Sequence, residues 1–150
     1  MDKQKLQEEL RQSMMAKDEL RTSVLRLLLS AINYYEIQKG GAGYEATEED
    51  VLSVVQKEAK QRRDSIEEFK KAGRQELVDK ESAELKILET FLPQQLGEEE
   101  IKTIVEQTIS ETGASSIQDM GKVMGALNAK LKGKADMGMV SILVRQKLSS

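Results

Sequence analysis

Residues 18–39 decide the fold class, and they read DELRTSVLRLLLSAINYYEIQK. Asp18 is a candidate N-cap, and the apolar residues that follow recur at intervals of three and four, which is the spacing of an amphipathic helix. The predicted inward face is wide, so we expect this segment to be the central helix of its domain. Its members are Leu20, Val24, Leu27, Leu28, Ala31, Ile32 and Tyr35.

The composition of the 150 residues favours helices in the rest of the chain as well. It includes three Tyr, two Phe and no Trp, with 33% charged residues and a single proline. Strands are enriched in aromatic and β-branched residues, whereas a core of Leu, Ile, Val, Met and Ala with many charges outside is typical of helices. The sequence therefore predicts an all-α fold.

Two helical regions are predicted, separated by the only proline, Pro93, which cannot continue a helix. Residues 1–92 hold four helices: one beginning near Asp2, the central one, one capped by Thr47 and ending at Gly73, and one over about 74–90. Residues 93–150 hold three short helices, over 98–112, over 117–132 and after the cap residue Asp136. We therefore expect a helical N-terminal domain and a small three-helix C-terminal domain.

Several function classes are excluded by what the sequence lacks. It contains no Cys and no His, so disulfides, thiolate nucleophiles, iron–sulfur clusters, the usual zinc sites and histidine-dependent catalysis are excluded. The longest apolar run is too short to span a membrane, and residues 1–5 are not followed by the apolar run that a signal peptide needs, so we expect neither feature. We expect a cytoplasmic protein with no membrane contact, no metal and no cofactor.

Three polar or flexible segments have ordinary structural interpretations. The glycines of Gly40–Gly43 lack the strand that a phosphate-binding loop needs, so they indicate a linker. The acidic triplets 48–50 and 98–100 begin helices, where the helix dipole favours them, and adjacent residues do not converge on one metal ion. The basic residues of 57–74 are interleaved with acidic ones, which is typical of a solvated face with ion pairs.

The C-terminal region has the charge of an anion-binding surface. The net charge of the chain is −3, but between Asp119 and Ser150 six basic and two acidic residues leave a local charge of +4. That asymmetry points to an anionic partner. The basic residues are Lys122, Lys130, Lys132, Lys134, Arg145 and Lys147.

The sixth predicted helix carries a stripe of small residues beside its apolar face. Gly121, Gly125, Asn128 and Lys132 are spaced so that they share one side of the helix. Two glycines inside a helix cost roughly 1 kcal/mol each against alanine, so the stripe allows something to approach the backbone closely. The alternatives are another helix and a nucleic-acid backbone with Lys132 on a phosphate.

A family resemblance extends over the whole chain. The stretch DMGKVMGAL at 119–127, the turn KGKAD at 132–136 and the junction FLPQQL at 91–96 resemble the GatB/YqeY family. The resemblance implies a helical N-terminal domain and a C-terminal domain similar to the tail of the B subunit of the glutamine-dependent tRNA amidotransferase, which helps to hold tRNA. The motif positions that carry over are Gly121, Gly125, Lys132, Gly133, Lys134 and Ala135.

Three functions follow as expectations from the residues and the resemblance together. The first is a tRNA-associated accessory module that has no chemistry of its own and contacts RNA through Lys122, Lys132, Lys134, Arg145 and Lys147, with Gly121, Gly125, Asn128, Gly133 and Ala135 allowing close approach. The second is a protein–protein adaptor, and the third is a subunit of an amidotransferase assembly. The resemblance also links the chain to carbon–nitrogen ligases with glutamine as amido donor, which we interpret as ancestry.

Overall fold

The computed structural model describes residues 1–149 and is all-α, as the sequence predicts. Helix makes up 79% of it, and no strand occurs among the described residues. A single 3-10 turn, Ile117–Asp119, precedes the sixth helix. The helices of residues 1–149 are α1 (Lys3–Met15), α2 (Glu19–Gly40), α3 (Glu48–Lys71), α4 (Gln75–Glu89), α5 (Glu98–Thr112), α6 (Met120–Leu131) and α7 (Met137–Ser149).

The chain forms two compact units, Met1–Leu92 and Pro93–Ser150. In the first unit, α1 packs on α2 and α3 packs on α4, and α2 also contacts α3 and α4. Helix α2 is therefore the central helix of this unit, as its sequence predicts. The buried core is almost entirely aliphatic and consists of Leu6, Val24, Leu25, Leu28, Leu29, Ile32, Val51, Val54, Val55, Leu88 and Phe91.

The inward face of α2 differs from the predicted one. Leu20 and Leu27 were predicted to be inward but are 39% and 54% exposed, whereas Leu25 and Leu29 are buried. Met14 of α1 is also 44% exposed, although its spacing of four and eight residues from Leu10 and Leu6 predicts that it shares their apolar stripe. The apolar pattern of α2 covers two faces, of which only the one centred on Leu25 and Leu28 meets other helices of the unit. The periodicity of the sequence alone does not show which of these two faces is buried.

A buried carboxylate fixes the loop between α2 and α3. The side chain of Asp50 accepts hydrogen bonds from the Tyr44 hydroxyl at 2.5 Å, the Tyr35 hydroxyl at 2.8 Å, Lys39 Nζ at 2.9 Å and the Thr47 N–H at 3.0 Å. The hydrogen bond from Tyr44, followed by those from Thr47 and Lys39, holds the pKa of Asp50 well below its usual range. Asp50 is thus part of a capping box and of a cross-helix network, a role its position in an acidic triplet did not indicate.

A second buried carboxylate ties the same loop to α1. Glu36 of α2 accepts a hydrogen bond from Lys3 Nζ at 2.6 Å and another from the Ala46 N–H at 2.7 Å. The hydrogen bond from Lys3, followed by that from Ala46, lowers the pKa of Glu36. The linker at Gly40–Gly43 is therefore flanked by polar contacts on both sides.

The basic segment of α3 is only partly the solvated face that the sequence predicts. Lys70 and Lys71 form exposed ion pairs within the helix, as expected. Arg62 instead points into the α3–α4 contact, where its side chain is 12% exposed and pairs with Glu81 at 3.1 Å and with Glu84, whose side chain is 8% exposed. The sequence did not predict this contact because the partners of Arg62 lie about 20 residues away along the chain, and a local charge pattern shows only neighbouring residues.

The second unit is a three-helix cluster with its own core. Helices α5, α6 and α7 contact one another, and the 3-10 turn contacts α6 and α7. Gly113 ends α5 with a left-handed backbone, φ 67°, and Asp136 precedes α7, accepting the Gly138 N–H at 2.9 Å. The buried residues are Ile101, Val105, Val123, Leu127, Leu131, Ala135, Val140, Val144 and Leu148. No helix within residues 1–149 has the length and apolar character that crossing a membrane requires.

Candidate nucleic-acid interface

The start of α6 is fixed by an aspartate that caps the preceding turn. The carboxylate of Asp119 accepts the Ser115 N–H at 2.9 Å and the Ser116 N–H at 3.3 Å. These two backbone hydrogen bonds, Ser115 first, lower the pKa of Asp119. As a result, the motif residues Gly121 and Lys122 lie in the first turn of a well-anchored helix.

Helix α6 has one buried face and one bare face. Val123, Leu127 and Leu131 are fully buried. At 100° per residue, a sector of about 120° on the far side contains only small side chains and the flanking lysines, all of them exposed. This surface, which we call the α6 face, comprises Gly121, Lys122, Gly125, Asn128, Ala129 and Lys132.

The two glycines of the α6 face are not used for packing within the chain. A Cβ atom built on either Gly121 or Gly125 meets no other atom within 4 Å. Of the two predicted explanations for the stripe, close packing of another helix is therefore absent within the C-terminal unit. The space above the helix backbone is not filled by any helix of that unit.

The turn after α6 has a structural role. Gly133 is buried and has a left-handed backbone, φ 79°, and Ala135 is 7% exposed. Gln95 Nε2 donates to the Gly133 carbonyl at 2.7 Å, and the Leu96 N–H donates to the Lys134 carbonyl at 3.0 Å. Gly133 and Ala135 thus close the fold against the junction segment and do not belong to the exposed α6 face.

The predicted cations differ in their partners. Lys147 lies 2.9 Å from Glu106, which offsets its charge, and Lys130 similarly pairs with Glu111 at 2.8 Å. Lys122, Lys134 and Arg145 are exposed and have no ion pair within the described part of the chain. Lys132 is exposed at the end of α6.

The cations on and next to α6 form a short row. Lys122 lies in the first turn of α6 and Lys132 directly follows its last residue, about 15 Å apart along the axis at 1.5 Å per residue, and Lys134 follows in the adjoining turn. Arg145 lies on a different helix, α7. The structure therefore places three of the five predicted basic residues along or just beyond one helix.

The acidic triplets do not form a metal site. Glu98 and Glu99 pair with Lys102, and Asp50 is enclosed by its hydrogen-bond donors. Within residues 1–149, no group of three or more His, Cys, Asp or Glu side chains is arranged to hold a metal ion.

Comparison with known proteins places the chain in a family. A family model described as Yqey-like protein matches residues 3–148. The chain belongs to the YqeY-like family. Curated relatives named "Altered inheritance of mitochondria protein 41, mitochondrial" include one from Kluyveromyces lactis, 37% identical over 83% of this chain and 68% of the relative. Another, from Lachancea thermotolerans, is 36% identical over 74% of this chain and 59% of the relative.

The names of the relatives correct one prediction about this YqeY-like protein. They describe mitochondrial proteins and so contradict the cytoplasmic location expected from the sequence. Targeting segments determine the subcellular location of a protein, and the composition of its folded core does not. The chain spans less than two thirds of the length of the Lachancea thermotolerans relative.

Proposed function

We propose that this YqeY-like protein is an accessory module for structured RNA, with tRNA as the expected class, and that its C-terminal unit makes the contact. One observation carries the proposal: the α6 face is exposed, lacks bulky side chains and ends in a lysine on each side. A surface of this kind suits a sugar–phosphate backbone, which brings negative charge and needs close approach.

The chemistry of the α6 face favours recognition of shape over recognition of base sequence. Lys122, Lys132 and Lys134 can each neutralise a phosphate. The Asn128 amide, between the glycines and Lys132, can donate to and accept from a ribose 2′-hydroxyl. No Tyr, Phe or Trp lies in residues 93–150, so the unit has no aromatic platform on which single-stranded bases could stack.

The groups on the α6 face support binding and not a reaction. They are two ammonium groups, one amide and small side chains, without a carboxylate or hydroxyl placed between them to act as a base or nucleophile. We therefore propose a module that holds RNA, and we assign it no amidation chemistry.

The experiment is a titration of fluorescently labelled bulk tRNA with the purified protein, followed by anisotropy at about 50 and about 200 mM salt. Three neutralised phosphates give a log–log slope of roughly 2 to 3, so the affinity should fall roughly 16- to 64-fold between the two salt concentrations. The test variant replaces Lys122, Lys132 and Lys134 with Ala and should weaken binding and flatten the salt dependence.

The matched control removes the same charge elsewhere. Lys5, Lys57 and Lys60 are exposed helical residues of the first unit, with no ion pair among the described residues, and their replacement with Ala should leave both affinity and slope unchanged. Equal losses in the two triple variants would mean that net charge alone drives the binding. No saturable binding at about 50 mM salt would reject the RNA proposal.

A further inference from the structure

The outer side of α2 is an apolar stripe that no other helix of the first unit covers. Four large apolar side chains project from it: Leu20, Leu27, Tyr34 and Ile37 are 39%, 54%, 66% and 62% exposed. In a chain with 33% charged residues, Arg26 is the one charged side chain classed as exposed between Leu20 and Gln38. An exposed helix face that avoids charge over 18 residues is unusual and marks a contact surface.

The stripe has the seven-residue repeat of a helix–helix seam. Leu20, Leu27 and Tyr34 are spaced by seven, and Ser23, Ser30 and Ile37 are spaced by seven with an offset of three. These are the a and d positions of a heptad, the pattern by which one helix lies along another. We call these six residues the α2 seam.

The α2 seam is complementary to itself when two copies run antiparallel. A parallel arrangement sets Tyr34 on Tyr34 and Ser23 on Ser23, which crowds one layer and leaves a gap in the other. An antiparallel arrangement about a two-fold axis between residues 28 and 29 sets a large side chain opposite a small one in each of the four inner layers. Its layers pair Leu20 with Ile37, Ser23 with Tyr34, and Leu27 with Ser30, each pair occurring twice.

The surface relief agrees with this pairing. The N-terminal half of the α2 seam borders an open hollow of about 520 Å³. Its lining combines Met14, Thr22, Ser23 and Leu27 with three charged residues, Lys17, Glu19 and Arg26. The C-terminal half carries the two most exposed of the four large apolar side chains of the seam, Tyr34 and Ile37. A two-fold axis between residues 28 and 29 brings the projecting half of each copy onto the hollow half of the other.

The area available indicates how tightly two copies hold together. At roughly 200 Å² for a large side chain, the four exposed apolar residues offer on the order of 400 Å² per copy. Two copies together bury on the order of 800 Å² from these residues, which is less than the roughly 1,200 Å² at which stable interfaces begin and fits only a weak, transient contact. We propose that the protein forms a weak, reversible antiparallel homodimer through the α2 seam, with a dissociation constant between about 10 μM and about 1 mM.

The first test measures mass against concentration by sedimentation velocity, up to about 1 mM protein. The wild-type protein should shift from monomer to dimer, and Leu27→Glu should raise the dissociation constant at least tenfold, with its helix content checked by circular dichroism. Tyr34→Ser is a milder second variant with the same expected direction. Ile142→Glu, at a 59% exposed position on α7, is the matched control and should dimerise like wild type.

The second test determines how the two α2 helices are aligned. Because the sequence contains no cysteine, a single introduced cysteine is the one thiol available for cross-linking. In the antiparallel register, residue 30 lies about 4.5 Å along the axis from its copy and residue 23 about 16 Å from its copy. Ser30→Cys should therefore cross-link with a short bismaleimide much faster than Ser23→Cys, whereas a parallel pair would cross-link at similar rates at both positions.

Three results would overturn the proposal: a monomer at every concentration, a dimer that Leu27→Glu and Tyr34→Ser leave intact, and equal cross-linking at positions 23 and 30. A compact, concentration-independent monomer would indicate that another part of the same chain covers the seam. The proposal is independent of RNA binding, and both tests are performed without RNA.

Discussion

Replacing Gly125 with Ala gives a direct test of how the α6 face is interpreted. Gly125 lies in the middle of the twelve-residue helix α6, and a Cβ there meets nothing within 4 Å. The methyl group therefore has no steric cost, and the change in helix propensity stabilises the C-terminal unit by about 0.8–1 kcal/mol. For a unit of this size, that corresponds to a rise in melting temperature of roughly 4–8 °C.

The same substitution is expected to weaken RNA binding. If a sugar–phosphate backbone lies directly on α6, the added methyl group enters the space that the ligand occupies, so affinity for tRNA falls while stability rises. A thermal melt followed by circular dichroism measures the first effect, and fluorescence anisotropy measures the second. A stabilised variant that binds less well is difficult to explain by damage to the fold.

Two other glycines serve as controls, because their replacement with Ala should lower stability instead of raising it. Gly113 has a left-handed backbone at the end of α5, so Gly113→Ala should destabilise the same unit by about 1 kcal/mol. At Gly40, a Cβ would lie 2.7 Å from Tyr44 Cβ, so Gly40→Ala should destabilise the first unit. A melting temperature that falls for Gly125→Ala would refute the view that its face is open, and unchanged tRNA affinity would remove α6 from the RNA contact.

Three further predictions concern stability. The folded-state pKa of Asp50 is depressed, so the ionised side chain stabilises the fold fully above its unfolded pKa of about 4, and this stabilisation is lost as the pH falls towards the folded-state pKa. The free energies of unfolding of wild type and Asp50→Asn, measured in urea, should therefore differ most near neutral pH and converge in acid. Arg62→Ala leaves Glu84 buried without its partner and should lower the free energy of unfolding, measured in urea, by about 3 kcal/mol. The double variant Arg62→Met with Glu84→Leu should recover much of that stability. Gln95→Ala removes the hydrogen bond to the Gly133 carbonyl and should lower the stability of the C-terminal unit by about 1 kcal/mol in a thermal melt.

Each of these has a result that would contradict it. A constant difference between wild type and Asp50→Asn from neutral pH to acid would mean that the carboxylate network does not persist in solution. If Arg62→Ala lowers the free energy of unfolding no more than removing an exposed ion pair does, such as Lys71 with Glu68, then Arg62 lies on the surface in solution. An unchanged melting temperature for Gln95→Ala would show that water replaces its hydrogen bond.

Much of the fold is readable from local sequence signals. Asp18, Thr47 and Gly113 mark helix ends where the structure places them, because caps depend on residues one to three positions away. The segment Glu98–Thr112 was predicted with the bounds that the structure has. Such features need no knowledge of the partner helix.

What the sequence did not reveal depends on contacts between distant residues. Asp50 and Arg62 look like ordinary surface charges because their partners come from other helices. Leu20 and Leu27 look like core residues because an apolar stripe has the same periodicity whether it faces the core or the solvent. For the α6 face, the sequence indicated the spacing of the glycines, but only the structure shows that no helix of the C-terminal unit fills the space above them.

The hydrogen bonds from Gln95 and Leu96 to the turn after α6 have a consequence for how this unit could be inherited. Both bonds, and the aliphatic core they close, lie within Pro93–Ser150. A segment that carries its own closing contacts can be joined behind a different N-terminal region without redesign of its interior. We therefore expect residues 93–150 to keep their interior when joined to another chain, whereas a segment that begins at the first residue of α5 loses both closing hydrogen bonds.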